Sequence, residues 1–142
     1  MAFSGYLMKL ISTSNVKTEI PLTFIRYETY KVTPDQMLDL DTGLRDVTGV
    51  MHRNVVGHQV TKIEFQTPSL ESSQANVLIQ LLMSHVRVAR ERDVYLEYFD
   101  PYTNGYKTGH FYIPDIDFEI RNIDAVNSII NYSQIRIAFI EY

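Results

Sequence analysis

Apolar positions in this chain alternate with polar ones far more often than they recur at helical spacing. Residues 5–11 (GYLMKLI) are apolar on both sides and predict a first strand. Residues 18–32 predict a longer one, in which Leu22 and Phe24 alternate with Thr23 and Ile25 and the pattern continues through Tyr27 and Tyr30. Pro21 has no N–H to donate, so it belongs at an edge or at a strand start. Residues 60–65 (VTKIEF) return to alternation, with Val60 and Ile63 or Phe65 out of phase by one, which predicts a bulge or a phase change there. Residues 93–99 set Val94, Leu96 and Tyr98 against Tyr95, Glu97 and Phe99, and residues 106–113 alternate back. Between them Asn104-Gly105 is a pair that tolerates positive φ, so the two runs predict a β-hairpin. Ile116, Phe118 and Ile120 alternate with Asp117 and Glu119, a polar connection covers 121–131, and 132–142 predicts a terminal strand. Ile135, Ile137 and Phe139 face one side of it, and Arg136, Ala138 and Ile140 the other.

Helical spacing is convincing in one place. Leu70, Val77, Leu78, Leu81, Leu82 and Val86 recur every three or four residues, opposite Ser73, Gln74, Asn76, Gln80 and Ser84. Pro68 suits a first turn, Thr67 or Ser69 can cap, and Glu71 places a negative charge where a helix N-terminus favours it. The pattern predicts a helix over 70–85, ending near Ser84 or running on to Arg92. About seven strands and one helix without a βαβ rhythm define an α+β, β-dominated chain, an antiparallel sandwich or barrel flanked by the helix.

The segment 39–59 (DLDTGLRDVTGVMHRNVVGHQ) fits neither period. Connections of this length inside a compact domain are usually functional or partner-binding. Leu44, Val47, Val50, Met51, Val55 and Val56 spread apolar side chains through it without a core face of their own. An extended arm that buries them on a neighbouring subunit accounts for both its length and its content.

Composition narrows the function. The 142 residues suit a single domain, 1–142, and the formal net charge is −4, with 13 Lys and Arg scattered along the chain. No basic stripe of the kind that neutralises phosphates is formed. Cysteine is absent, which removes thiolate chemistry and sulfur-ligated zinc. The N-terminal apolar patch is interrupted at Lys9, too early for a signal peptide. The uncharged run 72–86 holds Gln74, Asn76, Gln80 and His85 and is too polar to span a bilayer, so a soluble protein is expected, without membrane.

Candidate chemistry is sparse. His52 and His58 stand six residues apart without a helical partner motif, and Asp35, Asp39 and Asp41 lack the glycine and glutamate of a calcium loop. No nucleophile elbow, dinucleotide fingerprint or P-loop occurs. The expectation is a protein without cofactor or metal, and not an enzyme. Tyr95, Tyr98, Phe99, Tyr102, Tyr106, Phe111 and Tyr112 gather on the predicted hairpin. They serve either as cross-strand packing or as a stacking platform for sugars or single-stranded nucleic acid.

The order of these elements, with Asp41, Arg45, Gly49, Met51 and Arg53 ahead of a Lys62-Ile63-Phe65 strand and Glu141 in the last strand, resembles small tail proteins of long-tailed bacteriophages and prophages. The resemblance covers about residues 20–142. It implies a tail-tube-like fold whose sheet lines the lumen of a hexameric ring and whose long loop touches neighbouring rings. It also implies a structural virion protein of the tail, assembled in the bacterial host cytoplasm. Its partners would be itself and neighbouring tail or baseplate proteins, with DNA as non-specific cargo in the lumen. The subunit-interface residues expected on this reading are Asp41, Leu44, Arg45, Val47, Val50, Met51, Arg53, Val55 and Arg136. The alternative is a small β-rich binding module that recognises carbohydrate or protein through its aromatic hairpin.

Overall fold

The computed structural model describes residues 3–36, 44–45, 51–52 and 60–142. Its strands are β1 (Met8–Ile11), β2 (Lys17–Glu19), β3 (Lys31–Gln36), β4 (Leu44–Arg45), β5 (Met51–His52), β6 (Val60–Gln66), β7 (Leu70–Glu71), β8 (Asp93–Asp100), β9 (Gly105–Tyr112), β10 (Ile120–Asp124), β11 (Ile129–Tyr132) and β12 (Arg136–Glu141). One α-helix, α1 (Ser72–Ser84), lies between β7 and β8. Seven strands form one antiparallel sheet in the order β2-β1-β8-β9-β12-β6-β3, and β10-β11-β7 form a smaller one. The chain is α+β, β-dominated and antiparallel, as its alternation requires.

The hairpin β8–β9 is the spine of the large sheet. Its register runs unbroken from Asp93↔Tyr112 to Asp100↔Gly105. Asp100 closes the loop, because its carboxylate accepts from Tyr102 N at 3.1 Å and from Thr103 Oγ1 at 3.3 Å, and Asn104 takes the positive φ of 51°. Since side chains alternate across a strand, this register sends Val94, Leu96, Tyr98 and Phe111 to the inner face. There they join Leu10, Ile63, Phe65, Ile137 and Phe139, and α1 covers them with Ala75, Leu78 and Leu82. Each buried Val, Leu, Ile or Phe among them stabilises the fold by about 1.5–3 kcal/mol relative to exposure.

Four sequence expectations need correction. The run 18–32 is not one strand: after β2 the chain makes short 3-10 turns at Leu22–Phe24 and Tyr27–Thr29 before β3 begins. Pro21 starts the first turn by accepting from Phe24 N, and Ile20 and Ile25, not an alternating set, are the buried residues. The helix starts at Ser72, later than the Pro68 signal suggests. Glu71 is its N-cap in a capping box with Gln74, whereas Thr67 is fully buried and joins β6 to β12, its hydroxyl accepting from Ile135 N at 3.1 Å. The helix ends at Ser84, the earlier of the two expected stops. The bulge expected in 60–65 falls on the partner strand: β6 alternates without a break, and the register shift lies in β3 between Thr33 and Gln36, where Pro34 and the left-handed Asp35 (φ 48°) sit. Finally, the polar stretch 121–131 is largely the hairpin β10–β11, turned at Ser128 (φ 56°).

Candidate functional site

The helix occupies one side of the large sheet and leaves the opposite face open. Lys9 and Ile11 of β1, Lys17 and Glu19 of β2, and Asp93, Tyr95, Glu97 and Phe99 of β8 alternate onto it. They are followed by Tyr106, Thr108, His110 and Tyr112 of β9 and by Arg136, Ala138 and Ile140 of β12. The face is held by two networks.

The first centres on Glu97, which is nearly buried. Lys17 Nζ donates to its carboxylate at 2.5 Å, and the Tyr6 hydroxyl donates to the other oxygen. Burial alone would raise the Glu97 pKa, but these two donors outweigh it and hold the carboxyl below its ordinary range. The same hydrogen bond pushes the Tyr6 phenol up to about 12. Tyr6 in turn lies between the Lys9 ammonium, 4.0 Å from its ring centre, and the stacked ring of Tyr106 at 4.4 Å.

The second is a column of flat groups. The Arg87 guanidinium sits 4.0 Å over Tyr95, Tyr95 stacks on His110 at 4.5 Å, and His110 stacks on Tyr142 at 4.4 Å. Asp93 holds the middle of the column. His110 Nε2 lies 2.8 Å from its Oδ2, and Val88 N donates to its Oδ1 at 2.7 Å. The His110 contact keeps the Asp93 carboxyl below its usual range.

This geometry decides how the aromatic hairpin uses its rings. Both faces of Tyr95 are covered, by Arg87 and His110, and both faces of Tyr6, by Lys9 and Tyr106. Phe99 meets Tyr106 edge-on, and Tyr98 meets Phe111 edge-on in the core. The rings pack on one another across the strands, and Tyr102 at the loop tip is the exposed member of the cluster.

The chain matches, over residues 1–142, the model of a family described as a family of unknown function, DUF6711. It belongs to that family. Among curated proteins none matches it.

Of the interface residues expected from sequence, this DUF6711 chain places Arg136 on the open face, half exposed, with Nε donating to Glu64 Oε2 at 3.0 Å and Nη2 to the same oxygen. Leu44 and Arg45 pair with His52 and Met51 in a two-strand ladder. Asp41, Val47, Val50, Arg53 and Val55 lie outside the described residues. The Arg87–Tyr95–His110–Tyr142 column was not expected as a unit. The signal for its Tyr95–His110 step was available, because a turn at Asn104 fixes the register that sets those two residues opposite one another. Among the described residues no group of carboxylates and histidines is placed to hold a metal, and no helix is long and apolar enough to cross a membrane.

Proposed function

We propose that this protein is a structural component of a phage tail or tail-like particle, forming or joining a ring around a channel for DNA. It is not a catalyst. The observation that supports the reading best is the open sheet face, on which nearly every cation is locally engaged: Lys17 by Glu97, Lys9 by Tyr6, Arg87 by Tyr95 and Arg136 by Glu64. A face that satisfies its own positive charges releases few counterions to passing phosphate, so nucleic acid slides along it without sticking. Local pairing of this kind does what the net charge of −4 alone does not, since the face itself carries both signs. Such a face also tolerates close packing around a channel, because its side chains are already ordered and lose little freedom on assembly.

Purified protein imaged by negative-stain microscopy, with its mass measured by light scattering across concentration, tests the reading. Rings of constant copy number with a central channel are expected. A protein that stays monomeric up to the highest soluble concentration, or that binds duplex DNA with a steep salt dependence, removes it.

A further inference from the structure

The loop of the β8–β9 hairpin sets Asn104-Gly105 at an exposed tip. Pro101, Tyr102, Thr103 and Asn104 are all exposed, and Gly105 opens β9. Asn104 takes a left-handed φ of 51°, and its carboxamide makes no hydrogen bond among the described residues. The carbon of an asparagine carboxamide is within reach of the backbone nitrogen of the next residue, and a side chain on that residue hinders the approach. Glycine has none. The other asparagines are placed less well. Asn15, Asn54, Asn76 and Asn122 precede Val or Ile, whose branched Cβ crowds the amide. Asn131 precedes a tyrosine and donates to Asn122 Oδ1 at 2.7 Å. Asn127 precedes the small Ser128, but its Nδ2 donates to Asp124 Oδ2 at 2.8 Å and its backbone N to Oδ1 at 3.2 Å, so its carboxamide is held in place.

The nitrogen of Gly105 is engaged while the hairpin is closed. Phe99 N donates to Leu7 O beside β1, and Tyr142 N donates to His110 O on the far side of β9. Alternation therefore turns the backbone polar groups of Asp100 and Gly105 toward each other, and this pair is the last rung of the ladder. Beyond it the loop hangs on the buried Asp100 carboxylate, which accepts from Tyr102 N at 3.1 Å, Thr103 Oγ1 at 3.3 Å and Lys107 Nζ at 2.9 Å. The end of a hairpin opens locally at a lower cost than the whole fold.

We propose that Asn104 is a site of spontaneous deamidation whose rate is set by opening of this last rung, with Asp100 as the latch. In the open loop the backbone nitrogen of Gly105 gives up its proton to solvent and attacks Asn104 Cγ. The new C–N bond forms, the Cγ–Nδ2 bond breaks, and ammonia leaves with a proton returned from solvent. Water then adds to one of the two carbonyls of the succinimide and opens it to aspartate or isoaspartate. The sum is water in and ammonia out, with no oxidant or reductant. Aspartate keeps the left-handed turn. Isoaspartate routes the backbone through the former side chain and lengthens it, so Asp100 and Gly105 no longer face each other. Each event also adds one negative charge to a chain whose net charge is −4. The modification does not depend on whether the chain forms rings.

The full chain is incubated in mildly alkaline buffer, native and in denaturant, and its peptides are followed by mass spectrometry for exchange of an amide for an acid, with isoaspartate separated from aspartate by chromatography. Conversion should gather at Asn104 in the native protein, run slower there than in denaturant, and give both products. Gly105→Ala is the control for the ring closure. A Cβ at this position meets nothing nearer than Thr103 O at 3.9 Å and Thr103 Oγ1 at 4.0 Å, so the variant should keep the parental melting temperature and lose most of the conversion in both states. Thr103→Val removes one bond to the latch and should speed conversion in the native state only. Native Asn104 left intact after many denatured-state half-times, or conversion centred on Asn127, overturns the site. Aspartate without isoaspartate, or a Gly105→Ala chain that converts as fast as the parent, would mean direct hydrolysis and overturns it too. Equal rates in the native and denatured chains, or a native rate that Thr103→Val leaves unchanged, overturn the latch.

Discussion

Asp93 and His110 close a diagonal across the β8–β9 ladder, one register step from the direct Tyr95↔His110 pair, with 2.8 Å between Oδ2 and Nε2. Because Val88 N donates to the other oxygen, one carboxylate ties the loop after the helix to the ring column on the open face. The Asp93 carboxyl is held below its ordinary range chiefly by His110. A carboxyl lowered in the folded state stabilises that state above its unfolded pKa, and the contribution is lost as pH falls through the folded value. Stability should therefore decline from roughly pH 4 downward, near the ordinary Asp value. Asp93→Asn should lower the melting temperature at neutral pH and make the acid limb shallower. Melting curves of both proteins from neutral to acid pH check this, and identical acid limbs would show that Asp93 is not a source of the decline. Glu97 and Asp100, also lowered, keep part of the limb in the variant.

Gly109 lies on the inner face opposite Leu96, and a Cβ there would stand 2.7 Å from Phe111 Cε1 and 2.9 Å from Glu141 Oε2. The glutamate can swing away, but the Phe111 ring is fully buried and cannot. Gly109→Ala should cost about 1–3 kcal/mol through overpacking, whatever it adds in strand propensity. Denaturant titration measures it, and a neutral result would mean that the ring has room to move.

Tyr30 behaves in the opposite sense. Its hydroxyl is buried with no hydrogen-bond partner, and burial raises its pKa strongly. An unsatisfied buried hydroxyl is destabilising, by about 1–3 kcal/mol in comparable cases. Tyr30→Phe should raise the melting temperature while leaving the ring packed near Phe65. A fall instead would mean that the hydroxyl finds an acceptor in solution.

How much of this was legible in the chain depends on which interaction won locally. The β8–β9 hairpin was readable because alternation and the Asn104-Gly105 turn agree. The strand expected across 18–32 was not, because Ile20 and Ile25 are the side chains the core takes, and Pro21 starts a turn instead of a ladder. Helix onset was misplaced for a related reason: Pro68, Thr67 and Ser69 all signal a start, but the Thr67 hydroxyl is used by Ile135 and the Ser69 hydroxyl by Tyr132, leaving Glu71 to cap. The polar stretch 121–131 concealed a hairpin because Ile123 and Val126 point to solvent and Ile129 and Ile130 are only half-buried, so they give no core period. At the open face, Arg136 was correctly separated from Ile137 and Phe139 by alternation. The Arg87 column was out of reach to periodicity, since it depends on a turn that brings residue 87 back over β8.

The terminal strand offers the sharpest test of the fold itself. β12 sits between β9 and β6, with Phe139 paired to Ile63 and Ile137 to Phe65, and all four side chains are fully or almost fully buried. Phe139→Ala removes a fully buried ring from the hydrophobic core, where sheet and helix meet and little can collapse into the space. The expected cost is about 3–5 kcal/mol. Domains of this size are typically stable by about 5–15 kcal/mol, so the variant should be marginal or unfolded at physiological temperature. Arg136, three residues earlier on the other face, is half exposed and loses only a solvent-screened pair with Glu64 on substitution by alanine, worth about 0–1 kcal/mol. Its effect should appear instead in assembly, because it stands half exposed on the open sheet face, where the ring reading puts a subunit contact. Thermal unfolding and ring counting on both variants separate the two faces of one strand. A Phe139→Ala protein as stable as the parent would remove β12 from the core, and an Arg136→Ala protein that assembles normally would remove this residue from the expected subunit interface.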